Sequence, residues 1–166
     1  MGTPRFRQCF APALLAGALL LAATAAGAQE VAVEVKEEFY EVEGRTAFEL
    51  RREMKARGPK GYWAYTRWRV HWSSKCKVRL NISYTFPKLA NRDALPLPLR
   101  QNWDSMLAAL KAHERRHGEN GRRAAAEIAE AGCKDAKAIV KRWSREDGRL
   151  DAKTRHGRSE GVVLRD

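Results

Sequence analysis

Three residues in the stretch "KAHERRHGEN", residues 111–120, have the types and spacing to do chemistry: His113, Glu114 and His117, in the order HExxH. Residues four apart on a helix lie one turn apart on the same face, so the two histidines can offer two imidazole nitrogens to one metal ion. Glu114 stands on the adjacent edge of that face, where it can take a proton from water activated by the metal as that water attacks a carbonyl. Chance alone produces this spacing roughly once in a hundred chains of such composition, so the surroundings must decide. "KAHERRHGENGRR" is polar almost throughout and taken alone would suit a solvated helix. The apolar turns ahead of it, Trp103 to Leu110, orient the same face inward. Two histidines and a glutamate are costly to bury there without partners, and a metal supplies them. The expected cofactor is Zn2+.

A catalytic zinc site keeps three protein ligands and an open position. The three-histidine form of the motif needs glycine three residues, and histidine six residues, after His117; Asn120 and Arg123 stand there, which excludes it. Glu127 would lie about 15 Å from His117 along a continuous helix, out of reach unless the helix breaks between Gly118 and Gly121. His71 falls in the polar register of its strand and suits an ordinary surface histidine. His156, in "LDAKTRHGRSEG" with Asp151 ahead of it, would on residue type alone be a solvated histidine in a basic tail. Spacing leaves the third ligand open.

The elements that must hold this motif can be read from periodicity. Residues 33–43, "VEVKEEFYEVE", suggest a strand, and Thr46 with Glu49 forms a capping box for a short amphipathic helix ending at Gly58 and Pro59. "WAYTRWRVHW" and "KVRLNISYTF" are two alternating runs joined by "SSKC", a predicted hairpin. Ala64, Thr66, Trp68, Val70 and Trp72 share one face of the first run, and Val78, Leu80, Ile82, Tyr84 and Phe86 one face of the second. "PKLANRDALPLP" reads as an irregular connection. From about Leu99 to Ala131 the pattern is helical, with Trp103, Met106, Leu107, Leu110, His113, Glu114, His117, Ala124 and Ile128 on one stripe. Gly118 and Gly121 could end or bend that helix. A further amphipathic stretch with Ala136, Ile139, Val140 and Trp143 precedes an arginine-rich, glycine-punctuated tail.

Residues 1–28 read as a secretory signal: Arg5 and Arg7 lead, "ALLAGALLLAATAA" follows, and "AGA" precedes Gln29. The expected mature chain, 29–166, fits one domain that is periplasmic or secreted after cleavage near Ala28, with no membrane span left once the signal is removed. Its two cysteines, Cys76 and Cys133, would form a disulfide in that oxidising setting. The formal charge of the whole chain is +12, and losing Arg5 and Arg7 leaves +10. Such a field attracts anionic surfaces, nucleic acid or acidic substrates, and its plainer reading is a solvated surface. The basic residues are nevertheless scattered among acids without a nucleic-acid-binding signature, so no specific nucleic-acid partner is expected.

The chain resembles a bacterial family of predicted secreted zinc-dependent proteases, long catalogued only as a domain of unknown function. The likeness rests on "YEVEGRTAFELRREMKARGP", "AYTRWRVHW", "CKVRLNISYTFP", a tryptophan before "HERRH", a following cysteine and the terminal "DAKTRHG". That family is similar in turn to the zincin metallopeptidases. The resemblance implies an HExxH site at His113, Glu114 and His117, and a D-x-x-T-x-H-G motif at Asp151, Thr154, His156 and Gly157. It makes His156 the preferred third metal ligand, with Asp151 as a supporting carboxylate or the alternative ligand. Leu150 stands where the family pattern would carry a tyrosine.

Together these expectations describe an α+β, zincin-like domain: a small antiparallel sheet with a hairpin, packed on a long helix that carries HExxH. The expected function is a zinc metallopeptidase acting on a polypeptide substrate, with Glu114 as general base and zinc on His113, His117 and His156. Two other readings compete with it, a non-catalytic envelope protein stapled by zinc and a basic module that binds anionic polymers. Tyr40, Tyr62, Tyr65 and Tyr84 are equal candidates to stabilise an oxyanion. Neither substrate preference nor oligomeric state is encoded legibly.

Overall fold

The computed structural model describes residues 30–165; the expected signal and its cleavage point lie outside the described residues. The first strand, β1 (Ala32–Val42), leads into helix α1 (Ala47–Arg57). The expected cap is present: the Thr46 hydroxyl accepts from the Glu49 N–H at 3.2 Å, and the Glu49 carboxylate accepts from the Arg45 N–H at 2.7 Å. Leu50 and Met54, one turn apart, are fully buried on the inner face of α1.

Strands β2 (Tyr65–Trp72) and β3 (Val78–Leu89) form the antiparallel hairpin, in a register that pairs Tyr65 with Thr85 and Trp72 with Val78. The strand order is β1-β3-β2. β1 lies parallel to β3, from Ala32 opposite Arg79 to Val42 opposite Leu89, so the sheet is mixed rather than antiparallel as expected. The reason is connectivity: a two-strand turn forces antiparallel pairing, whereas the path from β1 through α1 and β2 is long enough to return the chain in the same direction. β3 also runs further than expected, through Pro87. A proline is tolerated there because β2 has already ended, its last partner on β3 being Thr85, so the strand has a neighbour on one side only.

Helix α2 (Leu97–Glu130) continues unbroken through Gly118 and Gly121. These glycines serve close packing rather than a bend: a Cβ on Gly118 would stand 1.9 Å from the Tyr84 hydroxyl oxygen, and one on Gly121 would stand 2.7 Å from Cγ of Trp68. The helix therefore presses its backbone onto the side chains of β2 and β3, with Trp103, Met106, Leu110, Ala124, Ala125 and Ile128 buried along the same stripe. Helix α3 (Ala136–Thr154) turns back antiparallel along α2 and reaches well into what periodicity suggested was tail. Beyond it Val162 and Leu164 are buried, and the tail is tied down by Arg51 Nη1 donating to the Leu164 carbonyl (2.7 Å) and Asn102 Nδ2 donating to the Arg165 carbonyl (2.6 Å).

The core lies between the sheet and α2, with Leu80, Ile82, Phe86, Met106 and Ile128 all but inaccessible. Cys76, in the hairpin turn, is bonded to Cys133, beyond the end of α2, across 57 residues of sequence. In the chain-entropy account such a loop stabilises the fold by roughly 4 kcal/mol. β2 and α2 advance in the same direction: Thr66 meets Glu114, Trp68 meets Gly121 and Cys76 meets Cys133. Among the described residues no helix is long and apolar enough to cross a membrane.

Candidate metal centre and cleft

His113, Glu114 and His117 all lie on α2, buried where the helix faces α3 and the start of β2. Asp151 reaches them from the last turn of α3. Its Oδ1 is 3.2 Å from Nε2 of His113 and 3.2 Å from Nε2 of His117, and the two Nε2 atoms are 3.3 Å apart. Among the described residues, these three form a group whose candidate ligand atoms all lie close enough together to share one ion.

The outer nitrogen of each ring faces a carboxylate. Nδ1 of His117 is 3.0 Å from Oδ1 of Asp147, and Nδ1 of His113 is 3.2 Å from Oε2 of Glu160. A carboxylate can only accept, so with a cation held between the Nε2 atoms and Asp151 each Nδ1 would carry the proton and turn the Nε2 lone pair inward. Asp147 is itself anchored: Oδ1 also accepts from Asn120 Nδ2 (2.8 Å), and Oδ2 accepts from Trp68 Nε1 (2.7 Å). Glu160 pairs with Arg116, which together with His113 outweighs desolvation and holds its carboxyl below the ordinary range. Burial opposes charge on His117, but the hydrogen bond to Asp147 and the charges of Asp147, Asp151 and Glu114 outweigh it and raise its affinity for a proton.

In that tautomer two lone pairs and a carboxylate oxygen converge, an arrangement that a cation at its centre would stabilise. Their spacing fits zinc. Bonds of about 2.0–2.1 Å in tetrahedral array place neighbouring ligand atoms about 3.3–3.4 Å apart. Nitrogen and carboxylate donors with carboxylates behind the imidazoles are also the donor set that zinc takes.

Glu114 has a different environment. Its Oε2 accepts a hydrogen bond of 2.6 Å from the hydroxyl of Thr66, and burial pushes its carboxyl up from the ordinary range. Both histidines, Glu114, Asp147 and Asp151 line one cleft of about 930 Å³, together with Tyr62 to Thr66, the segment leading into β2.

The motif D-x-x-T-x-H-G folds into the cap of α3. The Thr154 hydroxyl donates to the Leu150 carbonyl (2.8 Å) and accepts the Gly157 N–H (3.1 Å). Arg155, His156 and Gly157 follow with φ of 53°, 54° and 78°, three consecutive left-handed residues. Only glycine suits the third, since a Cβ there would stand 2.5 Å from Val162 and 3.1 Å from His113. The turn leaves the His156 ring on the cleft wall, its side chain 58% exposed, with its centroid 5.4 Å from that of Tyr62 and Nδ1 3.4 Å from Oδ1 of Asp151. The residues gathered around the centre are therefore His113, His117 and Asp151, with His156 beside Asp151 and outside the three-atom group.

The other sequence candidates lie elsewhere. Glu127 pairs with Arg142 and accepts from Trp143 Nε1 (3.0 Å), and His71 is exposed on β2. Among the tyrosines, Tyr62 and Tyr65 line the cleft, Tyr40 donates to the Trp63 carbonyl (2.7 Å), and Tyr84 packs beneath Gly118. Thr66, Asp147 and Glu160 were not anticipated. For Asp147 a signal existed: Asp147 and Asp151 stand four apart on one helix, matching the spacing of His113 and His117 on the other.

No curated protein and no solved structure matches the chain. Residues 37–157 match a family described as "Bacterial protein of unknown function (DUF922)", a span that begins in β1 and ends at Gly157, and so includes both histidines, Glu114, Asp147 and Asp151. The chain belongs to this bacterial family.

Proposed function

We propose that the protein is a secreted, zincin-like metallopeptidase, with zinc held by His113, His117 and Asp151. The observation that carries this reading is the triangle of inward-facing ligand atoms, 3.2, 3.2 and 3.3 Å on its sides, with the Glu114 carboxyl lining the same cleft. His156, the third ligand implied by the family pattern, is assigned to the cleft wall because its ring stands against Tyr62 and outside that triangle.

When bound there, zinc supplies Lewis acidity that lowers the pKa of water and polarises a carbonyl. The remaining work falls to the chain. Glu114, its proton affinity raised by burial, accepts the proton of the attacking water and returns it to the departing amine. Thr66 fixes the orientation of that carboxyl. Asp147 and Glu160 hold the two imidazoles in the tautomer that presents Nε2. β2 is an edge strand, so its outer main-chain groups are available to pair with an extended polypeptide and lay it across the cleft.

The test is Glu114→Gln in the chain 29–166. Both proteins should retain zinc, and only the wild type should hydrolyse a panel of unstructured peptides. Equal hydrolysis by both would remove Glu114 as the base. Retained zinc with hydrolysis by neither would favour the non-catalytic staple, a reading that draws support from the way the ligands join α2 to α3.

A further inference from the structure

The charges along the cleft are sharply divided. The carboxylates that line it, Glu114, Asp147 and Asp151, all belong to the centre. Every other charged residue among those described in its lining is a cation: Arg51, Lys60, Arg155, Arg158 and Arg165. Lys60 is exposed, with Nζ 2.7 Å from the Tyr65 hydroxyl and 4.5 Å from the centre of its ring. Arg155 and Arg158 are exposed in the strained turn after α3, and among the described residues neither meets a carboxylate.

A second groove is arranged differently. In the groove on the outer side of α2 and α3, Arg116, Arg123, Arg142 and Arg149 are each paired with a glutamate: Glu160, Glu119, Glu127 and Glu146 respectively. The four arginines of that groove are neutralised in place, whereas Lys60, Arg155 and Arg158 in the cleft lining meet no carboxylate among the described residues. A divalent ion at the centre would offset the inner carboxylates and leave the rim to set the field.

We infer that the cleft selects acidic polypeptide segments, with Lys60, Arg155 and Arg158 reading aspartate or glutamate side chains on either side of the bond placed at the centre. This rests on the metallopeptidase reading for the bond-breaking step, but recognition itself can be measured without turnover. Lys60 precedes β2 and the two arginines follow α3, two segments that meet where His156 lies against Tyr62, so the cations come from different elements to one side chain of an extended peptide or to its neighbours. Rim contacts of this kind mainly speed encounter and weaken as salt rises.

The experiment uses zinc-loaded Glu114→Gln protein and a fluorescein-labelled decapeptide containing four glutamates, against the same peptide with glutamine at those positions. Fluorescence anisotropy at low ionic strength should show the acidic peptide bound about tenfold more tightly or better, with the difference shrinking as salt is added. Lys60→Gln with Arg158→Gln should remove most of that difference, whereas Arg142→Gln with Arg149→Gln should leave it. Equal affinity for the two peptides would overturn the inference, as would a preference insensitive to the cleft pair or an equally tight grip on a heparin oligosaccharide. If the acidic peptide binds as expected and zinc-loaded wild type still fails to cleave it, the peptidase reading falls and the recognition stands.

Discussion

Asp147 belongs to no motif, yet its carboxylate orients His117, so replacing it is a demanding check. Its Oδ1 accepts from His117 Nδ1 (3.0 Å) and Asn120 Nδ2 (2.8 Å), and its Oδ2 accepts from Trp68 Nε1 (2.7 Å). Asparagine has the same shape but one oxygen. Whichever way its amide turns, an NH2 group faces a donor: Trp68 in one orientation, His117 and Asn120 in the other. The zinc-free fold should therefore lose roughly 1–3 kcal/mol, toward the lower end because the Asp147 side chain is 24% exposed. With the orienting charge gone, His117 becomes a poorer ligand, and zinc affinity should fall about 10- to 100-fold. Competition against a fluorescent zinc chelator gives the affinity, and thermal unfolding of the chelated protein gives the stability. A folded Asp147→Asn protein that binds zinc as tightly as wild type would refute the role assigned to that carboxylate.

Three further outcomes follow from the same geometry. Asp151→Asn should reduce zinc affinity by more than about a hundredfold, beyond the usual effect of an orienting residue, while His156→Ala should change it by less than about tenfold; the reverse order in the same chelator competition would make His156 the third ligand. Gly118→Ala places a Cβ 1.9 Å from the Tyr84 hydroxyl oxygen, so the buried Tyr84 ring or the helix must shift, and calorimetry should show a loss of roughly 1–3 kcal/mol; an unchanged melting temperature would contradict the close packing assigned to this glycine. Burial raises the Tyr40 phenol above its ordinary range. The unfolded chain then ionises first, and the stability Tyr40 contributes is whole below about pH 10 and drains away above it. Urea titrations from pH 8 to 11 should fall more steeply for wild type than for Tyr40→Phe, and parallel curves would contradict this.

What could be read beforehand depended on whether the signal was local. The capping residues Thr46 and Glu49, the alternation of β2 and β3, the stripe from Trp103 to Ile128 and the Cys76–Cys133 pair carry their structure in neighbouring residues, or in compartment and parity, and all are present. The partner of β1 was not legible, because alternation marks a strand without saying which strand it joins or in which direction. The length of α3 was hidden by Gly148 and by its arginines, since an exposed glycine in a helix costs only about 1 kcal/mol and the surrounding turns absorb it. The centre divided in the same way. His113, Glu114 and His117 share one helix and were visible, whereas Asp147, Asp151 and Glu160 arrive from α3 and the tail. Family likeness marked Asp151 and His156, but only the left-handed turn at Arg155 to Gly157 shows which of them faces the histidine pair.

Zinc on the three converging ligand atoms is the proposal on which the chemistry depends. Elemental analysis of the purified chain 29–166, after exhaustive dialysis against metal-free buffer, tests it most directly. About one zinc per chain is expected in the wild type and in Glu114→Gln, and close to none in His113→Ala. A folded wild-type protein that retains no zinc and takes up none when it is added would contradict the account.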